Sequence, residues 1–104
     1  MTTLTTSELV RCLTIALEFA TSRGFESIDC SRHDQYWVVA PPNWVKFDIK
    51  PDLGVGSLSD DLSELRQLLA NPSRVSVLDL ERVAFALLLL SQTIEDRQEY
   101  LQVP

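Results

Sequence analysis

Cys30-Ser31-Arg32-His33-Asp34 brings a thiol, an imidazole and a carboxylate into five consecutive residues. In an enzyme those three groups supply a nucleophile, its base and the group that orients the base. Such partners are normally assembled across a fold and not along one turn, so the run reads as an exposed turn. His33 is the only histidine, which excludes a multi-histidine metal centre. Asp48, Asp52, Asp60, Asp61 and Glu64 are of the type that holds a hard cation. Counted from Asp48, however, the sixth place of a calcium loop is Leu53 and the twelfth is Ser59, where glycine and glutamate are required. Gly54-Val55-Gly56 lacks the third glycine and the Lys-Ser/Thr ending of a phosphate loop, and reads as a turn. No residue is assigned to catalysis, a cofactor or a metal, and a non-enzymatic protein is expected.

Two groups of apolar residues suggest binding instead. Tyr36, Trp37, Trp44 and Phe47 fall close together, and tryptophan and tyrosine are favoured anchors of interfaces and pockets. Val83-Ala84-Phe85-Ala86-Leu87-Leu88-Leu89-Leu90 is an unbroken apolar run, and a helix apolar on every side must be covered on every side. The candidate partner-binding residues are therefore Trp37 and Trp44 on an open sheet face, and Phe85, Leu88 and Leu89 on the outer side of the last helix.

Six elements are expected to position these groups. Thr5 with Glu8 forms a capping box for a helix over about 6–23, with Leu9, Cys12, Leu13, Ala16, Leu17 and Ala20 on one face and Gly24 ending it. Residues 25–30, 35–40 and 44–49 read as strands, the last with Val45, Phe47 and Ile49 alternating with charged residues. Their short connections, Ser31 to Asp34 and Pro41-Pro42-Asn43, predict antiparallel neighbours. Residues 51–57 read as a glycine loop. Ser59 then caps a second helix with a stripe of Leu58, Leu62, Leu65 and Leu69, which Asn71-Pro72 stops. A third helix begins at Ser76, with Asp79 in a capping box and Val75 and Leu80 as a staple. Leu80, Val83, Ala84, Leu87, Leu90 and Ile94 form its expected inner face. The fold class is α+β in the order α-β-β-β-α-α: a three-stranded antiparallel meander with the helices packed on one face, in a single globular domain spanning 1–104.

Composition sets the setting. The 104 residues are 45% hydrophobic, enough for one core without metal or disulfide staples. Fifteen acidic against nine basic residues give a net charge of −6, which argues against nucleic acid and anionic membranes as partners. The two cysteines, Cys12 and Cys30, form no C-x-x-C pair and read as small hydrophobes in a reducing compartment. The N-terminal sequence lacks the pattern of a secretory signal, and the apolar run is too short to span a bilayer, so a cytoplasmic protein is expected.

Tyr36-Trp37-Val38-Val39-Ala40-Pro41-Pro42, Val55-Gly56-Ser57-Leu58-Ser59-Asp60-Asp61 and Asp79-Leu80-Glu81-Arg82-Val83-Ala84 together resemble small uncharacterised bacterial proteins of no assigned function. The resemblance covers about residues 36–92; it implies a bacterial single-domain protein and transfers no site. The reading reached from the residues is a small interaction module, homodimeric or bound to another protein. Its alternatives are a small-ligand sensor with a pocket beside the 51–57 loop, walled by Trp37 and Trp44, and by analogy an immunity or antitoxin-like partner of a toxin.

Overall fold

The computed structural model describes residues 2–31, 34–39 and 53–102. Three helices dominate: α1 (Thr6–Ser22), α2 (Leu58–Ala70) and α3 (Val77–Gln102), with one antiparallel hairpin of β1 (Gln35–Val39) and β2 (Leu53–Ser57) between α1 and α2. A short 3-10 turn, Pro72–Arg74, links α2 to α3.

The ends of α1 are set by local chemistry. The Glu8 N–H donates to Thr5 Oγ1 and the Thr5 N–H donates to Glu8 Oε1, each at 3.0 Å, which closes the expected capping box. Those bonds hold the Glu8 carboxyl below its ordinary pKa. At the other end Gly24 takes φ 90°, the Gly24 N–H reaches Thr21 O and the Phe25 N–H reaches Ala20 O. That pair of bonds is the Schellman stop for which glycine is suited.

The three-stranded meander is not what forms. Residues 25–30 are irregular, because their polar members bond locally: Asp29 Oδ1 accepts the Ser31 N–H at 2.9 Å and Asp29 Oδ2 accepts the Ser31 hydroxyl at 3.1 Å. The expected strand at 44–49 lies outside the described residues. The segment read as a glycine loop supplies the second strand, in the register Gln35↔Ser57, Tyr36↔Gly56, Trp37↔Val55, Val38↔Gly54 and Val39↔Leu53. Gly56 belongs there for space, since a Cβ at that position would run into the Tyr36 ring.

The helices do not line up on one sheet face either. Packing centres on α2 against α3, with Leu58, Ala86, Leu89 and Leu90 buried. Leu62 and Leu65 continue the α2 stripe half-buried, but Leu69 turns outward at 80% exposed. Helix α1 contributes Ala20 as its one buried residue and approaches α3 across an open apolar cleft of about 420 Å³, lined by Leu13, Leu17 and Ala20 on one side and Leu87, Leu90 and Ile94 on the other.

Candidate interaction surface

Of the residues that suggested chemistry, Asp34 is occupied in holding the hairpin to α2. Asp34 stands just ahead of β1, and its carbonyl accepts the Leu58 N–H at 2.6 Å while its Oδ1 accepts the Ser59 N–H at 2.7 Å. Ser57, one place ahead of α2, caps the same helix by accepting the Asp60 N–H at 3.4 Å, two residues before the expected cap at Ser59. Asp34 thereby ties the start of the sheet to the positive end of α2, and the bond from Ser59 holds its carboxyl below the ordinary range. Cys30 is half-buried as a free thiol, and His33 lies outside the described residues.

Asp61 likewise has a structural partner. The Tyr36 hydroxyl donates to Asp61 Oδ2, and the Tyr36 ring stacks on Phe85 of α3 with centroids 4.0 Å apart and planes inclined by 27°. Burial, with the negative Asp61 beside it, pushes the Tyr36 pKa upward. Glu64 pairs with Arg74 at 3.3 Å near the end of α2. Asp48 and Asp52 lie outside the described residues, and among the described residues no group of three or more histidine, cysteine or acidic side chains is placed to hold a metal.

The candidate binding residues part company. Trp37 lies in β1 opposite Val55, and Trp44 is outside the described residues. Phe85 is covered by Tyr36, and Leu89 is 5% exposed in the α2–α3 core. Leu88 is 63% exposed. The expected inner face of α3 is displaced as well: Leu80 is 72% exposed and Val83 and Ala84 are also outside, while the buried side runs through Asp79, Ala86, Leu89 and Leu90.

Asp79 explains how a polar residue ends up inside. Its Oδ2 accepts the Ser76 N–H at 2.8 Å and its Oδ1 accepts Arg82 Nη1 at 2.9 Å. The bond from Ser76, with Arg82 beside it, keeps the carboxyl below its ordinary pKa and hence ionised. Val75 and Leu80, placed for a staple, both stay exposed.

With Asp79 inward, residues 77, 80, 84 and 88 share the outer side of α3. Leu80, Ala84 and Leu88 form a straight ridge at four-residue spacing, with Val77 at its start. Beside Leu88 lies a hollow of about 270 Å³, lined also by Tyr36, Leu58, Phe85, Leu89 and Gln92. Glu81, also exposed, borders the ridge on the Leu88 side. Geometrically this is an exposed aliphatic row with a depression next to it.

The fold and this surface define a small, mainly helical chain that carries a β-hairpin and an uncovered aliphatic helix face. Comparison with known proteins gives no match to a protein family, a curated protein or a solved structure.

Proposed function

We propose that the protein is a non-enzymatic interaction module, working in the cytoplasm, that binds another protein chain through the outer face of α3. The observation that carries this reading is the Leu80–Ala84–Leu88 ridge: two leucines more than 60% exposed on a helix whose opposite side is core. Exposed aliphatic rows of this kind are favoured in interfaces, where their burial removes apolar area from water. Four of the described acidic residues, Asp34, Asp61, Glu64 and Asp79, are engaged in capping or pairing within the chain. Cytoplasmic placement is consistent with free thiols at Cys12 and Cys30, and no described helix is long and apolar enough to cross a membrane.

The test is the size of the protein in its native extract. Size-exclusion chromatography should place it in an assembly well above 11.8 kDa, and Leu80→Asp should return it to monomer size with its helical circular dichroism intact. Migration of the unaltered chain as a monomer at its native concentration overturns the reading.

A further inference from the structure

A small set of polar and aromatic contacts holds the hairpin to the helices. From β1, the Tyr36 ring stacks on Phe85 of α3 and its hydroxyl donates to Asp61 of α2. Just ahead of β1, Asp34 accepts the Leu58 N–H through its carbonyl and the Ser59 N–H through Oδ1. Tyr36 pairs with Gly56, one place from Ser57, so these bonds cluster at the end of the hairpin where β2 runs directly into α2. Among the described side chains of the hairpin none is buried: Tyr36 and Ser57 are half-buried, and Gln35 and Val55 are exposed.

Burial lies elsewhere. Leu58, Ala86, Leu89 and Leu90 are the buried aliphatic residues described in α2 and α3. A two-stranded hairpin is marginal in water by itself, and Gly54 and Gly56 add chain entropy to β2 without a side chain to pack. The order of the hairpin therefore depends on Asp34 and Tyr36, whereas the helical pair has a core of its own. Elements with little buried apolar area open more readily than the core they rest on.

We infer that the hairpin is a hinged flap, latched by Tyr36 and Asp34, which opens about the Ser57–Leu58 junction while α2 and α3 stay packed. In the closed form Tyr36 covers Phe85. In the open form the Phe85 ring meets water beside the already exposed Leu88, with which it lines the same hollow. The flap thus sets how much apolar surface α3 presents on this side, whatever binds its outer row. A molecule with affinity for the uncovered Phe85 would shift the population toward the open form.

Hydrogen exchange of the full chain, in urea kept below its unfolding midpoint, tests this. The Leu58 and Ser59 amides report the latch, because at the start of a helix they have no helical carbonyl to bond and their partner is Asp34. They should exchange at least about 10-fold faster than the Leu89 and Leu90 amides. Their rates should also rise less with urea, since opening exposes less surface than unfolding does. Tyr36→Phe keeps the ring on Phe85 but removes the bond to Asp61, and should speed Leu58 and Ser59 about 10-fold. Leu90→Ala weakens a core that is intact in both forms, so it should speed the Leu89 amide at least about 10-fold and leave Leu58 and Ser59 as they were. One common protection for both sets, with each substitution speeding them alike, means that the hairpin opens only when the whole chain unfolds, and overturns the flap. Fast exchange at Leu58 and Ser59 that Tyr36→Phe leaves unaltered overturns the latch.

Discussion

Gly56→Ala should cost far more than one methyl group on a two-stranded hairpin would suggest. Its φ is not in the left-handed region, where among the described residues Gly24 alone lies, so the backbone tolerates alanine and only space is at issue. A Cβ there would come within 3 Å of Cζ, Cε2 and Oη of Tyr36. The ring cannot retreat freely, because Phe85 stacks on it and Asp61 holds its hydroxyl. Tilting the ring forfeits the aromatic pair, about 0.5–1.5 kcal/mol. It also loosens a bond to a charged acceptor, about 1–2 kcal/mol at a partly exposed site. Alanine returns about 0.5 kcal/mol by restricting the unfolded chain. The net expectation is a loss of about 2 kcal/mol, or about 10 °C in Tm for a chain of this size.

The assay is urea unfolding followed by circular dichroism, with the slope m unchanged so that the midpoint reports stability. A double-mutant cycle isolates the cause: in a Tyr36→Ala background, where nothing fills the space over Gly56, the same substitution should be neutral or stabilise by about 0.5 kcal/mol. If Gly56→Ala lies within about 0.5 kcal/mol of the unaltered chain, or costs as much without the Tyr36 ring as with it, the account of this joint is wrong.

Leu89→Ala should destabilise the chain by about 2–4 kcal/mol in urea unfolding, because it empties a buried site. Leu88→Ala, measured where the chain is monomeric, should stay within about 0.5 kcal/mol. Tyr36 has a folded-state pKa raised above its unfolded value, so the stability linked to it is complete below about pH 10 and is lost as pH rises beyond that. Tyr36→Phe should flatten the alkaline limb of a plot of unfolding midpoint against pH. Asp34 has the opposite sign: its lowered pKa gives stability present above about pH 4 and lost as pH falls through the folded value. Asp34→Ala should therefore reduce the gap between urea midpoints at pH 7 and pH 3.

What the sequence disclosed depended on how local the governing interaction is. Thr5 with Glu8 and Gly24 with Phe25 act within a few residues, and both ends of α1 can be read directly from them. The start of α2 was harder to place, because Ser57, Ser59 and Asp60 are all competent caps and the choice is made by Asp34, more than twenty residues earlier. Gly54 and Gly56 have the composition of a turn, yet they sit in a strand. The reason for Gly56 is a tyrosine twenty residues away that only the paired register brings over it. Residues 25–30 failed in the reverse sense: Phe25, Ile28 and Cys30 have strand character, but Asp29 and Ser31 satisfy one another and leave no ladder to join.

The orientation of α3 shows the same dependence most sharply. Eight consecutive apolar residues fit more than one helical face, and spacing alone favoured Leu80, Val83, Ala84, Leu87, Leu90 and Ile94. The observed buried side is turned from that by about a quarter-turn, at 100° per residue. Two features select it. Asp79 can be buried because Ser76 and Arg82 satisfy its carboxylate, and Phe85 is brought beneath Tyr36. Asp79, which the periodicity assigns to solvent, therefore marks the inner side, and Leu80, which it assigns to the core, stands outside, while Leu90 stays buried as expected. Whichever way this helix is rotated, a row of aliphatic side chains faces outward, because the run is wider than any one face. The apolar run thus leads to an uncovered face in either orientation, and the Asp79–Arg82 pair decides that Leu80 and Leu88, with Leu89 inside, form it.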